Sequence, residues 1–490
     1  MSIYKILKQN ALYSPSKIAL IFDDKQISYK EFYELVLQTI LNLRDNNFNE
    51  KSIVVIVEDN TLSHILSLFA LSYINCTIVP TGTYYSNNHL TEIVELTKSD
   101  SLIGPSKYCD YFKKKLKIKN FLSTNLTNKF SYFFSSNKKK IRLKNVIDTN
   151  KNFIITLSSG STAKPKPLVF SQNTKIIRYK LFKKLYNIKR NDTFIVTSPI
   201  DHSLGMRTLY VPLLSGATCV VMKKFNVPLY CELIKKHKVT FSVLVASQIY
   251  EVVKKKVYFK NFYLRKGLVS ASSKLFNSVK NKILSKKINL YEMYGAAEVG
   301  TVTSINLLKD KKNFKSVGKP YQKNISIKIL SDQNKFLPNY KVGEIVCKTP
   351  GKFKFYLQSK KLNTEANYKG YFKTGDVGYL DKRNHLYFLS RKKNIIRRAG
   401  ITIYPEDIEN IFLSDKKIHE VAVVGKETKN FSHIFLFIKK NDYIDENYVK
   451  NICLKKLSTF QLPNKIIFLR KFPKTNLGKI NKKILLGNLR

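Results

Sequence analysis

The chain has 490 residues, too many for one ordinary domain, and 43% of them are hydrophobic, which is enough to build sizeable cores. Its 87 Lys and Arg against 34 Asp and Glu give a formal net charge of +53, which would ordinarily suggest a nucleic acid or an anionic membrane as partner. The lysines are spread over the whole length and accompany many Asn, Ile, Tyr and Phe residues, a bias typical of an AT-rich coding sequence, so no specific nucleic-acid role is expected.

The cysteines and the apolar segments predict a reduced, cytoplasmic protein. The six cysteines are scattered, without a CxxC pair and without zinc-ligand spacing. The first residues lack the apolar region of a signal peptide. The most apolar stretch, residues 62–80, is interrupted by His64, Ser67, Ser72 and Asn75, so we expect a buried helix and a strand there and no transmembrane segment.

Short apolar runs alternate with helical patterns through the first half of the chain. The runs that are typical of strands are residues 53–57, 76–79, 153–157, 194–196, 217–222 and 240–244. Helical patterns follow several of them, for example from Leu62 and over residues 248–253. This alternation favours α/β layers with mostly parallel strands. Residues 122–152, rich in Asn, Ser and Lys, are predicted to form a loop.

A domain boundary is predicted near residue 390. Residues 386–389 read as a strand, and a basic run starting at Arg391 follows. Pro405 and the acidic residues after it predict a helix start, because proline suits the first turn and acids favour the positive end of the helix dipole. Strands at 421–424 and 434–438 and a second helix from Asp445 complete a small α+β unit of about 100 residues, enough for one domain.

The segment after the predicted strand at 153–157 carries the most informative motif. Residues 158–167 read SSGSTAKPKP, with small side chains, hydroxyl donors and backbone N–H groups followed by two lysines. Such a loop suits a polyphosphate, whose oxygens accept hydrogen bonds and whose charge the ammonium groups offset. It is not a Walker A loop, because Pro165 and Pro167 flank Lys166.

Further motifs follow this loop in a fixed order. They are SPIDHSLG at 198–205, YGAAE at 294–298, YFKTGD at 371–376, the basic hinge-like run from Arg391 to the helix start at Pro405, and PKTNLGKI at 473–480. Taken together with the loop at 158–167, this order resembles the ANL superfamily of adenylate-forming enzymes over nearly the full length. That family contains acyl-CoA synthetases, adenylation domains of peptide synthetases and luciferases. The resemblance implies a large N-terminal adenylation domain of layered α/β subdomains, residues 1–390, and a small mobile C-terminal α+β domain, residues 391–490.

The resemblance also assigns residues to the nucleotide. It places Ser159, Gly160, Ser161, Thr162 and Lys166 around the β- and γ-phosphates of ATP. It assigns Tyr294 the aromatic face that stacks on adenine, Gly295 the close backbone approach, and Glu298 the carboxylate ligand for Mg²⁺. Asp376 and Arg391 are assigned to the ribose hydroxyls.

The remaining assignments concern the acid and the moving domain. Lys479 would bridge the substrate carboxylate and the α-phosphate, and Lys393 stands at the hinge position. His202 stands near the acyl tunnel of acyl-CoA synthetases, although a packed core histidine is the plain alternative. The pocket walls are expected around residues 202–205, 246–248 and 270–273.

Three positions depart from the family pattern. Ala163 and Pro167 replace glycines of the phosphate loop, where a left-handed backbone would be strained. Ala297 lacks the usual threonine hydroxyl, and a lost hydrogen bond to a charged group costs about 1.5–3 kcal/mol. We therefore expect slower adenylation than in the family pattern.

The implied activity is an acid–thiol ligase that uses ATP and Mg²⁺ to form an acyl adenylate and then a thioester with CoA, with a role in fatty acid metabolism. One alternative is a stand-alone adenylation enzyme that loads an acyl group or amino acid onto the phosphopantetheine of a carrier protein. A second is a degenerate, non-catalytic member of the fold, suggested by the three departures. A basic nucleic-acid or membrane binder is the third, and a steep salt dependence of binding would reveal it.

Overall fold

The structure is a computed structural model that describes residues 1–116, 118–124, 147–158, 166–255, 263–273, 275–398, 400–427, 432–475 and 478–489. The first part of the chain alternates helices and strands, as predicted. Its elements are α1 (Ile3–Tyr13), β1 (Ile18–Phe22), β2 (Lys25–Ser28), α2 (Tyr29–Asp45), β3 (Ile53–Val57), α3 (Leu62–Ile74), β4 (Thr77–Thr81), α4 (Asn87–Thr97), β5 (Ser101–Gly104), α5 (Ser106–Lys115) and β6 (Asn120–Ser123).

The alternation continues after the predicted loop at 122–152. The loop prediction overlaps the end of β6, and residues 125–146 of it lie outside the described residues. The next elements are β7 (Asn152–Ser158), β8 (Lys166–Ser171), α6 (Gln172–Leu185), β9 (Thr193–Val196), α7 (Ser203–Ser215), β10 (Thr218–Val221), α8 (Val227–Lys236), β11 (Phe241–Val245), α9 (Ala246–Lys254), β12 (Gly267–Ala271), α10 (Asn277–Leu284), β13 (Leu290–Ala296) and β14 (Gly300–Asn306).

These elements build two large sheets around a shared core. One sheet has nine strands in the order β15-β14-β13-β12-β11-β9-β10-β1-β2, where β15 is Lys319–Pro320. The other has seven, β19-β8-β7-β4-β3-β5-β6, where β19 is Phe355–Tyr356. The central strands pair in parallel and antiparallel strands close the edges, in agreement with the predicted α/β class. Apolar faces of α1, α2, α3, α6 and α7 fill one continuous core with both sheets.

Local sequence explains where several helices begin and end. Ser28 starts α2 with a capping box, because its hydroxyl accepts from the backbone N–H of Glu31 while the Glu31 carboxylate accepts from the Ser28 N–H. Asn226 caps α8 with its side chain. Gly216, with φ of 75°, ends α7 in the left-handed region that glycine tolerates.

A third sheet is antiparallel, which the predicted parallel pattern did not anticipate. Its strands are β16 (Ser326–Leu330), β17 (Phe336–Leu337), β18 (Gly343–Lys348), β20 (Asn367–Tyr368), β21 (Tyr371–Leu380) and β22 (Leu386–Arg391), and α11 (Lys360–Glu365) precedes β20. Hairpins join most of them, so short connections suffice and no crossover helices are needed.

The C-terminal segment forms the small α+β domain that the sequence predicts. Its elements are β23 (Ile396–Arg398), β24 (Ile401–Ile403), α12 (Pro405–Leu413), β25 (Val421–Glu427), β26 (Ser432–Lys439), α13 (Glu446–Lys456), β27 (Lys465–Leu469) and α14 (Lys482–Gly487). A separate apolar core joins α12 and α13 to the β25-β26-β27 sheet. In the described parts of the chain, no helix is both long and apolar enough to cross a bilayer.

Candidate active site

The predicted site residues meet in a cavity of ≈ 2270 Å³ between the large and small domains. Strands β9, β11, β12 and β13 run in parallel, so the segments after their carboxyl ends open at one edge of the sheet and line this cavity. The site residues that line it are Lys166, His202, Gly295, Glu298, Arg391, Lys393 and Lys479. Asp376 and Tyr294 lie directly behind this surface.

The predicted phosphate loop joins two antiparallel strands. Ser158 pairs with Lys166 at the end of the β7–β8 hairpin from which this loop extends. Ser159, Gly160, Ser161 and Thr162 lie outside the described residues, so their assignment stays a prediction. Lys166 reaches toward the cavity, with its Nζ 6.0 Å from the ring centre of Tyr356.

Pro167 does not impose the strain that the sequence suggested. It lies in β8, opposite Leu157, and has no left-handed backbone conformation. Its carbonyl oxygen accepts a hydrogen bond of 2.9 Å from the Leu357 N–H. Because proline adopts extended backbone readily, Pro167 is free of left-handed strain at this strand position.

The hairpin of β13 and β14 presents Glu298 to the cavity. Its carboxylate Oε1 accepts a hydrogen bond of 3.0 Å from the Tyr356 hydroxyl. Gly295 brings the two strands together, because a Cβ at that position would lie 1.9 Å from the carbonyl oxygen of Gly300. Close backbone approach is therefore the role of this glycine in the protein itself.

Gly295→Ala is expected to disrupt this hairpin, because the added methyl group meets backbone that cannot rotate away. We expect poor soluble yield or a melting temperature lowered by several degrees, roughly what a 1–3 kcal/mol overpacking loss produces. Gly487→Ala is the matched control, since nothing lies within 4 Å of the Cβ position there. Equal thermal melting of the two variants would contradict the close-approach role.

Asp376 and Arg391 form an ion pair at the floor of the cavity. They face each other across β21 and β22, and Arg391 Nε lies 2.8 Å from Asp376 Oδ1. The Tyr294 hydroxyl donates to Asp376 Oδ2 at 2.7 Å. Burial raises the pKa of Asp376, and the Arg391 charge opposes this rise. The carboxylate is thus held by one hydrogen bond and one ion pair, with half of the Arg391 side chain still exposed to the cavity.

Tyr294 is placed differently from what adenine stacking suggests. Its ring is only 8% exposed and packs in an apolar cluster, with its centre 6.2 Å from that of Phe388. Burial raises its pKa, and the neighbouring Asp376 carboxylate raises it further, so the phenol stays protonated and donates to Asp376. The structure brings Tyr294 to the site as a support for Asp376, and its stacking role stays a prediction.

Lys479 crosses from the small domain into the cavity. Its Nζ donates to the backbone carbonyl of Ser272 at 2.7 Å, just after β12. The preceding Gly478 lies against Ser247, where a Cβ would come 2.9 Å from the hydroxyl oxygen. Burial and, to a smaller extent, the Arg391 charge lower the pKa of Lys479 to about 8, with Asp376 opposing the shift. The ammonium therefore sits beside the Asp376–Arg391 pair.

His202 lies on the opposite side, directly before α7. Its Nε2 is 3.1 Å from the hydroxyl oxygen of Tyr84, and the two rings stack with centres 6.2 Å apart. The same hydroxyl donates to the Asp201 carboxylate. Burial and the Asp201 charge raise the pKa of Tyr84. His202 thus lines the cavity with its orientation fixed, and the segments predicted as pocket walls contribute Leu204, Ser247 and Ser272 to the lining.

Sequence reasoning missed Arg178, which holds the Glu298 segment from behind. From α6 it donates to the backbone carbonyls of Gly351 at 2.7 Å, Ala297 at 2.9 Å and Glu298 at 2.8 Å. Burial lowers its pKa to about 9, with the Arg207 charge adding to the effect and Glu298 opposing it. No motif surrounds Arg178, so a lysine-rich helix gave no signal for it.

Two family models match this chain, one over the large domain and one over the small domain. The family model described as AMP-binding enzyme matches residues 7–357, and that of the AMP-binding enzyme C-terminal domain matches residues 407–479. The first match covers well over half of the chain, so the protein belongs to the AMP-binding enzyme family.

Relatives and solved structures agree over nearly the whole length. The chain is 25% identical to 2-succinylbenzoate–CoA ligase of Listeria innocua serovar 6a, covering 97% of each chain. It is 22% identical to indoleacetate–CoA ligase of Aromatoleum aromaticum, covering 98% of this chain and 97% of that protein. The structure of o-succinylbenzoate CoA synthetase from Bacillus subtilis with its acyl-adenylate intermediate superposes with a TM-score of 0.90 at 20% identity, covering 99% of this chain and 98% of that one. The fold is thus shared with this synthetase.

Proposed function

We propose that the protein is an ATP-dependent ligase that joins a carboxylic acid to the thiol of CoA through an acyl adenylate. The observation that carries this proposal is the meeting of Lys479 with the Asp376–Arg391 pair and Glu298 in one cleft between the domains. The named relatives, which are CoA ligases for 2-succinylbenzoate and indoleacetate, support CoA as the acceptor. They give no support to the expected role in fatty acid metabolism, and a cytoplasmic location stays a prediction.

In the first step, a substrate carboxylate oxygen attacks the α-phosphorus of ATP and pyrophosphate leaves. Asp376 accepts hydrogen bonds from the ribose hydroxyls, and Arg391 favours the ionised form of this carboxylate and orients it. The Lys479 ammonium lies where it can bridge the attacking carboxylate and the α-phosphate, offsetting charge that develops in the transition state. These side chains position and stabilise, so no protein nucleophile is needed.

The residues present fit a magnesium ion shared with ATP. Among the described residues no group of three or more His, Cys, Asp and Glu side chains could enclose a metal. Mg²⁺ in nucleotide enzymes takes one or two carboxylates plus phosphate oxygens and water, and Glu298 supplies such a carboxylate at the cavity wall. When bound, the ion would neutralise charge on the phosphates and the leaving pyrophosphate.

In the second step, the thiol sulfur attacks the acyl carbonyl carbon, AMP leaves and the thiol proton is lost to solvent. We propose that the large domain, up to the end of β22, and the small domain after Lys393 act as the two bodies and that rotation about Lys393 withdraws Lys479 to admit the thiol. Lys393 lies in the short turn between β22 and β23, with its side chain exposed to the cleft. A turn with few packing contacts suits a hinge, since it can absorb the backbone change.

The test is ATP–pyrophosphate exchange with Mg²⁺ against a panel of acids that includes 2-succinylbenzoate, indoleacetate, hexanoate and amino acids. Exchange followed by thioester formation with free CoA supports the proposal. Thioester formation only with a carrier protein would favour the stand-alone adenylation alternative. Absence of both exchange and ATP binding would leave a non-catalytic member of the fold.

Glu298→Gln is expected to lower the exchange rate roughly 100-fold and to raise the Mg²⁺ concentration needed for half-maximal rate, because the amide carries no charge for the ion. The magnesium titration is the readout that separates this effect from a general loss. Glu365→Gln is the matched control, because Glu365 also lines the cavity but pairs with Lys361 at the surface. A magnesium requirement that is identical in wild type and Glu298→Gln would remove Glu298 as the ligand.

A further inference from the structure

One wall of the cavity carries a cation that takes no part in the two proposed half-reactions. Arg207 projects from α7 and lines the cavity, half-buried, beside the β13–β14 hairpin. Its Nη1 donates to the Thr301 hydroxyl at 2.9 Å and lies 3.9 Å from the Met293 sulfur. The guanidinium therefore has neutral partners only among these contacts, while it faces the space where an acid substrate would extend.

The charge of Arg207 is not compensated by the described protein. No Asp or Glu of the described residues lies within ion-pair distance of it; the groups that favour its charge are the phenols of Tyr321 and Tyr186. Burial lowers its pKa, and it in turn lowers the pKa values of Arg178 and Lys175, two further cations from α6. Keeping a desolvated cation without a carboxylate is costly, so the arrangement suits an anionic ligand.

The position of Arg207 limits how long an acid must be to reach from Arg207 to Glu298. Its partner Thr301 pairs with Gly295 across the hairpin and lies three residues after Glu298. Three residues span at most about 11 Å, so the anion site is within the reach of a small acid whose reacting carboxylate lies near Glu298 and Lys479. The cavity wall near Arg207 also includes Leu204 and Met293, which are suited to the carbon skeleton between two charged ends.

We propose that Arg207 and Thr301 form a subsite for a second anionic group of the acid, so that the substrate is a dicarboxylic acid whose far carboxylate Arg207 binds. This inference rests on the proposed ligase function and names its substrate class. A far carboxylate would pair with the guanidinium and accept from the Thr301 hydroxyl. A monocarboxylic acid of the same size would leave Arg207 facing an uncharged tail.

The experiment compares acids that differ only in the second carboxylate. 2-Succinylbenzoate is measured against 3-benzoylpropionate and 2-butyrylbenzoate, each of which lacks one of its two carboxylates, and adipate against its monomethyl ester. In pyrophosphate exchange, wild-type protein is expected to favour each diacid over its partners by roughly 10- to 100-fold in kcat/KM, the value of one charge-assisted contact. Arg207→Met should reduce this preference to within about threefold through a higher KM for the diacid, with the KM for ATP unchanged.

Controls separate a local effect from misfolding. Arg207→Lys keeps the charge and should retain part of the preference, and thermal melting shows whether Arg207→Met folds. Arg383→Met, in the exposed turn after β21, should leave the preference unchanged. Exchange with monocarboxylic acids equal to or better than with diacids would overturn the subsite while leaving the ligase function standing. A preference that persists in Arg207→Met would also overturn it, and absence of exchange with every acid would overturn both.

Discussion

Lys479→Ala is expected to lower the rate of acyl-adenylate formation by roughly 10²- to 10³-fold, the usual cost of removing one preorganised group that stabilises transition-state charge. Thioester formation from a supplied acyl adenylate should fall far less, because the proposed rotation withdraws Lys479 before the thiol attacks. Pyrophosphate exchange measures the first half-reaction, and release of AMP from synthetic adenylate plus CoA measures the second. Equal losses in the two would contradict the role of Lys479 in the first step.

The pH dependence provides an independent check on Lys479. Its pKa is lowered to about 8, so the ammonium is present below that pH and is lost above it. Because the charged form is the one that binds the two anions, kcat/KM for exchange should fall about tenfold per pH unit above 8. Lys479→Arg keeps its charge over this range and should lose this alkaline limb.

Lys474→Ala is the matched control for both measurements. Lys474 belongs to the same C-terminal motif, but its Nζ pairs with Glu420 at 2.8 Å within the small domain. It should leave both half-reactions close to wild type. Since Lys479 also ties the small domain to the Ser272 carbonyl, thermal melting of Lys479→Ala should be compared with that of Lys474→Ala.

Asp376→Ala is expected to raise the KM for ATP about 100-fold or more. The change removes the proposed acceptor for the ribose hydroxyls and also takes from the buried Tyr294 hydroxyl its Asp376 acceptor. An unsatisfied buried polar group costs about 1–3 kcal/mol, so the free energy of unfolding should fall by a similar amount. Equilibrium binding of ATP and urea unfolding measure the two consequences separately.

Asp381→Ala distinguishes loss of stability from loss of binding. Asp381 lies just after β21, where its carboxylate accepts from the backbone N–H groups of Arg383 and His385 at 2.8 Å. Its removal should also lower stability, but the KM for ATP should stay near wild type. If the two variants bind ATP equally well, Asp376 does not hold the nucleotide.

The sequence identified those candidate site residues that belong to short contiguous motifs. Asp376, Arg391 and Lys479 each belong to a short pattern, and the structure brings all three to one cleft. Arg178 and Arg207 could not be found in this way. Arg178 holds Glu298 across 120 residues of sequence, and neither arginine stands out among 87 Lys and Arg. Their positions at the candidate site follow only from the packing of α6 and α7 against the β13–β14 hairpin.

The fold was likewise predictable where periodicity is strong. Strand β3 and the start of α3 coincide with their predictions, because β3 is a short run of branched apolar residues and α3 is a longer apolar segment that Thr61 caps. In the antiparallel third sheet only the part of β22 at residues 386–389 was predicted as a strand, and β17 and β20, with two residues each, are too short for an alternating pattern. Tyr294 shows what sequence cannot predict for a single side chain. The sequence identifies an aromatic residue at this position, but not which face of its ring remains accessible after packing.

The Asp376–Arg391 pair joins two strands of one hairpin, and both residues precede the proposed hinge at Lys393. Rotation of the small domain would therefore carry Lys479 away while the ribose-binding pair stays behind intact. The acyl adenylate, a reactive mixed anhydride, would then remain bound through its AMP moiety during the rotation, instead of being released and hydrolysed in bulk water. Under the proposed rotation, the enzyme would therefore release little of its activated intermediate, even when the second substrate is scarce.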